Sequence, residues 1–168
     1  MHLLAPICVC LAALGCSRGG LPTPPPLHSV PEHRGLTADP ETLGYVYLEG
    51  YVLRDRGGQG YGVRQYRNGG DQYLFLQRFT GRDSAGRAQW EVMDAIRVPA
   101  APEGHSLVLG LCGRRGELDS DLIAIVRSTE DTQEWRPVWQ AWRANPESGR
   151  FSLEGASEMY CLNEGYGV

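Results

Sequence analysis

Apolar and polar residues alternate along the chain from residue 44 onward, a pattern typical of β-strands with one buried face. Four such runs are separated by glycine-rich turns, of which Asn68-Gly69-Gly70-Asp71 has the composition of a hairpin. The predicted strands cover residues 45–53, 61–66, 73–79 and 90–98. Two later runs, residues 107–112 and 122–126, are apolar at successive positions, which indicates central strands buried on both faces.

The last third of the chain is ambiguous, because its tryptophans fit a helical spacing. Pro137 interrupts that helix, and residues 145–151 have the composition of a good hairpin loop, so we expect a strand over residues 137–143 paired with residues 151–153. A final strand is expected near residues 158–161. Eight or nine short strands predict a mainly β fold, with a single antiparallel β-sandwich or barrel-like domain over residues 41–168.

The first 40 residues have a different composition. Residues 3–14 are apolar and end in small residues, but the run is shorter than the roughly 20 residues needed to span a bilayer, so residues 1–15 are predicted to be a signal peptide. Residues 17–40 contain six of the 11 prolines. Such a segment buries little apolar surface, and residues 16–40 are predicted to be a disordered tether.

Ala13-Leu14-Gly15-Cys16 resembles the lipobox at which bacterial lipoproteins are cleaved and acylated. The resemblance covers only this signal. It implies a lipid, including palmitate, on Cys16, and Ser17 after that cysteine implies the periplasmic side of the outer membrane of a Gram-negative bacterium. A plain cleaved signal and a cytosolic protein with an apolar start are the alternatives.

Net charge and cysteine content narrow the possible partners and the possible binding sites of the protein. The net charge is −4, which disfavours nucleic acid as a partner. Once the signal cysteines and Cys16 are set aside, only Cys112 and Cys161 remain, and in an exported protein we expect them to form a disulfide worth about 4 kcal/mol. Two buried thiols are the alternative. Neither cysteine has a CxxC partner or a nearby histidine, so no metal or cofactor is expected there.

Few residues indicate catalysis. Glu117, Asp119 and Asp121 occupy alternate positions, but they lack the spacing of a calcium loop and are best interpreted as a solvated turn. His105 is interpreted as a residue at the start of a strand, because no partner for a catalytic relay is evident. A hydrolase acting on the cell wall through Asp94 or Glu91 is the alternative function.

Aromatic residues indicate a function in binding more clearly than the residues above indicate catalysis. Most of them must fill the core, but Trp135 lies beside a polar run and Tyr61 lies in a glycine-rich stretch, so we expect these two to be exposed and to bind a partner. The sequence therefore favours a non-catalytic periplasmic binding module with an envelope protein partner. An inhibitor or immunity protein for an envelope enzyme and an accessory subunit of an envelope assembly both fit this class; the oligomeric state is left open.

Overall fold

The predicted all-β architecture is confirmed. The computed structural model describes residues 21–56 and 59–167, apart from the side chains of residues 54–56 and 59. These residues contain 13 strands, two short 3₁₀ helices (Pro31–His33 and Pro40–Leu43) and no α-helix. The strands are β1 (His28–Ser29), β2 (Val46–Arg56), β3 (Gln59–Asn68), β4 (Asp71–Arg82), β5 (Ala88–Val98), β6 (His105–Leu109), β7 (Cys112–Arg114), β8 (Glu117–Leu118), β9 (Leu122–Arg127), β10 (Glu134–Trp135), β11 (Val138–Asn145), β12 (Arg150–Glu154) and β13 (Met159–Leu162).

The strands form three antiparallel sheets, and over the described residues these do not close into a barrel. The first sheet has the order β1-β5-β4-β3-β2, the second β12-β11-β9-β6 and the third β10-β13-β7-β8. Both predicted hairpin turns are present, since Asn68 pairs with Asp71 and Asn145 with Arg150. Of the two predicted architectures, the structure has the sandwich.

The second sheet is the middle layer. On β9, Ile123 and Ile125 face the core shared with the first sheet, whereas Leu122, Ala124 and Val126 face the core shared with the third. All five are at most 1% exposed. The prediction that residues 122–126 are buried on both faces is therefore confirmed, and the cause is a sheet on each side.

The companion prediction for residues 107–112 is only partly correct. The run is split: β6 is an outer strand of the second sheet and is mostly half-buried, and Cys112 begins β7 in the third sheet. Gly110 makes this transition at a φ of 69°, and a Cβ there would lie 2.8 Å from a ring carbon of Tyr51. A residue with a side chain would therefore be strained at this position.

The segment predicted as a disordered tether lies against the sheets from Leu21 onward; residues 16–20 and the signal are outside the described residues. Trp139 donates its indole N–H to the carbonyl of Pro22 at 2.7 Å, and Gln140 donates its amide to the carbonyl of Pro25 at 2.9 Å. Proline lacks an N–H but keeps its carbonyl acceptor, so a proline-rich segment can satisfy two donors of largely buried side chains.

The same segment then crosses the outer face of the first sheet. β1 pairs with β5, and Val30 and Leu36 pack against an aromatic cluster that includes Tyr45, Tyr66 and Phe75. Residues 21–45 thus form part of the folded domain, because they cover apolar surface that the first sheet would otherwise expose. No helix in the described part of the chain is long and apolar enough to cross a membrane.

Candidate protein-binding edge

The predicted disulfide is present. Cys112 on β7 and Cys161 on β13 are register partners, and their sulfur atoms are 2.06 Å apart. The bond joins the two longest strands of the third sheet and ties the C-terminal strand to the rest of the domain. Its position supports a structural role.

The expectation that Trp135 and Tyr61 are exposed is wrong. Trp135 is half-buried in β10, packs against the core between the second and third sheets, and donates its indole N–H to the carbonyl of Thr129 at 2.6 Å. Tyr61 is half-buried because β3 begins at Gln59, which places its ring in the strand and against the core of the first two sheets. Both rings are therefore half-buried rather than exposed.

The acidic loop is built around an arginine. Arg143 on β11 contacts Asp119 at 2.8 Å and Glu154 at 2.8 Å, and lies 4.0 Å from the buried Asp121. Asp119 and Asp121 therefore belong to an ion-pair network, whereas Glu117 is exposed, as expected for a solvated turn. Among the described residues, no three His, Cys, Asp or Glu side chains are placed to hold a metal ion.

The residues considered for catalysis each have a polar contact within the structure. His105 begins β6, as expected, with its Nδ1 at 3.0 Å from the carbonyl of Glu103. Asp94 is 2% exposed, pairs with Arg34 at 2.9 Å and accepts a hydrogen bond from the Phe151 N–H. Glu91 pairs with Arg78 at 2.5 Å. These contacts give both carboxylates structural partners.

Exposed apolar side chains are concentrated along β2 and just before it. Of the nine large hydrophobic residues exposed among the described residues, five lie between residues 43 and 52, and four of these are on β2. Successive residues of a strand point to opposite faces, so these side chains flank the free edge of β2 on both sides. We call this surface the β2 edge. Its members are Leu43, Val46, Tyr47, Leu48 and Val52.

Sheet order explains this exposure. β2 is 11 residues long and is the last strand of the first sheet, bonded to β3 on one side and to no strand of the described chain on the other. A register shift between Tyr47 and Glu49 marks a bulge that adds twist to the strand. The unpaired backbone groups of such an edge are a template for a further strand.

Glu49 gives the β2 edge an unfavourable negative charge. Partial desolvation raises the pKa of its carboxyl above the ordinary 4.5, and repulsion by Glu164 raises it further. A cation placed beside these two carboxylates would favour the ionised form of Glu49. The edge therefore combines an apolar strand with a position suited to a basic residue.

The sequence contained no signal that separated this edge from the interior strands. Residues 45–53 alternate as residues 73–79 do, and alternation reports that one face is apolar without reporting which strand lies outermost.

Comparison with protein-family models, curated proteins and solved structures finds no match for this chain.

Proposed function

We propose that this protein is a lipid-anchored, non-catalytic binding module of the bacterial envelope that holds a protein partner along the β2 edge. The observation that carries the proposal is the concentration of exposed apolar side chains on one edge strand, whose outer side has no partner strand among the described residues. An inhibitor or immunity protein for an envelope enzyme and an accessory subunit of an envelope assembly would both use such a surface.

The edge defines the chemistry of the partner. An extended segment can add to β2 as a sixth strand, in which case main-chain hydrogen bonds supply affinity and alternate side chains supply specificity. Val52, 70% exposed, would be buried by an apolar neighbour, and the Glu49 and Glu164 carboxylates favour a lysine or arginine. The proposed partner therefore presents an extended strand with alternating apolar residues and one basic residue.

Cross-linking in intact cells tests the edge. A photoreactive amino acid at residue 52 should capture one envelope protein, and one at Leu153, which is 50% exposed on β12, should not. With the captured protein purified, Val52→Asp should weaken binding by at least about tenfold, while Leu153→Asp should leave it unchanged. Equal capture at both positions, or equal binding by both variants, would show that the edge is not the docking surface.

The anchor is tested separately. With acylation at Cys16, the protein should fractionate with the outer membrane, and Cys16→Ser should release it from that fraction. Retention of an unprocessed Cys16→Ser chain in the membrane would argue against a lipoprotein.

The hydrolase alternative has a direct assay. Release of soluble fragments from peptidoglycan by the purified protein, abolished by Asp94→Asn in a variant that still folds, would replace the non-catalytic proposal.

A further inference from the structure

A groove lies between residues 37–42 of the N-terminal segment and the outer face of the first sheet. Its volume is about 350 Å³, which is near the lower end of the roughly 300–1,000 Å³ of ligand pockets. Its lining includes Asp39, Arg64, Gln77, Asp83, Arg87 and Trp90. We call it the Arg64–Trp90 groove.

Two buried polar atoms of this groove have no hydrogen-bond partner among the described residues. They are the Oε1 acceptor of Gln77, a residue that is 1% exposed, and the Nε1 donor of Trp90. Phe75, two residues before Gln77, packs on the outer face of the sheet, and alternation gives Gln77 the same face. Since polar groups in this situation are ordinarily satisfied, the pair suits a ligand that both donates and accepts.

The charges of the groove are balanced. The guanidinium of Arg64 lies 5.0 Å from the centroid of the Trp90 ring, and Arg87 pairs with Asp83 at 2.8 Å. Asp39 already accepts a hydrogen bond from the N–H of Glu41 at 3.1 Å. With two arginines and two aspartates in the lining, neither a strong anion nor a strong cation is favoured.

We propose that the Arg64–Trp90 groove binds one or two neutral sugar units of a glycan. Both atoms are covered in the free protein, so a sugar reaches them by a small side-chain movement; its hydroxyl can then donate to Gln77 Oε1 and accept from Trp90 Nε1. The apolar C–H face of a pyranose can pack against the half-buried indole. A peptide backbone carries its donors and acceptors on separate atoms, and an extended segment needs a longer groove than this one. The proposal does not rest on the β2 edge or on its partner.

NMR of the full-length protein tests the assignment, with lauryldimethylamine oxide as the detergent because it contains no sugar. The indole N–H resonance of Trp90 is identified by its loss in Trp90→Phe. Addition of N,N′-diacetylchitobiose or maltose should shift this resonance more than those of the other three tryptophans. Calorimetry should then show binding weakened at least about tenfold by Gln77→Leu and by Trp90→Phe, while Arg67→Ala, an exposed arginine on the same strand as Arg64, has no effect.

Three outcomes would overturn the proposal. They are an unmoved Trp90 resonance at millimolar concentrations of both sugars, unchanged sugar affinity in Trp90→Phe, and a shift produced by acetyl-trialanine amide but by neither sugar. Trp90→Phe keeps an aromatic ring in the fold, so it decides the question even if Gln77→Leu fails to fold.

Discussion

β9 and β2 are both strands rich in apolar residues, yet they meet opposite surroundings. β9 lies in the middle sheet, and its residues 122–126 are buried against two different cores. β2 lies at the end of the first sheet and exposes Val46, Leu48 and Val52. The contrast shows that the position of a strand, both within its sheet and among the stacked sheets, decides whether an apolar residue stabilises the fold or is left for a partner.

The largest expected difference between the two strands comes from introducing an aspartate at one position in each. Ile125→Asp places a carboxylate in a core with no partner, which should cost more than about 5 kcal/mol and leave no cooperative thermal transition by circular dichroism. Val52→Asp should change stability by less than about 0.5 kcal/mol, because the side chain is already in water. A large loss of stability in Val52→Asp would mean that the β2 edge is covered in the isolated protein.

The next largest effect concerns the third sheet, whose strands have only two to four residues each, whereas β2–β5 have ten to 12. Such short strands bury little surface, so we expect this sheet to depend on the Cys112–Cys161 bond. Cys161→Ser should lower the free energy of unfolding by about 4 kcal/mol, given the sequence separation of 49 residues. Denaturant titration measures the loss.

Two controls accompany that measurement. Cys112→Ser should cost about the same as Cys161→Ser, and the double variant should cost no more than either one, because a single bond is lost in all three. Two alkylatable thiols in unreduced protein taken from the periplasm would contradict the bond.

The smallest expected effect is the pH dependence of stability caused by Glu49 on the β2 edge. Because the pKa of Glu49 is raised in the folded protein, its contribution to stability is fully present below pH 4.5 and is lost as the pH rises through the folded pKa. Glu49→Gln should therefore stabilise the protein at pH 7, by less than about 0.5 kcal/mol, and this advantage should disappear below pH 4.5. Melting temperatures of both proteins across this range provide the test. Destabilisation by Glu49→Gln at pH 7 would mean that the carboxylate has a favourable partner.

Much of the fold could be predicted because its signals are local. Alternation with period two and turns such as Asn68-Gly69-Gly70-Asp71 located the long strands, and elimination of the signal cysteines identified the disulfide pair. The two-residue strands β1, β8 and β10 were missed, because two residues are too few to show a period.

Long-range contacts account for the remaining differences. The carbonyls of Pro22 and Pro25 bond to side chains more than 100 residues away, so their composition alone resembled that of an unattached linker. Trp135 was assigned to the surface from a neighbouring polar run and Tyr61 from a glycine-rich stretch, yet each ring packs against a core shared with another sheet. Both candidate sites likewise depend on the order of the strands.

The hydrogen bond from Trp139 to Pro22 also sets how far the domain can reach from a membrane. If the lipid is on Cys16, five residues lie between the anchor and this docked proline, and even a fully extended chain over those six peptide steps spans only about 20 Å. A free proline-rich tether of 24 residues would span up to about 75 Å. The domain would then stay close to the lipid surface, where it can contact membrane-bound partners and the nearest glycan strands. It could not reach partners that lie farther from the membrane in the periplasm.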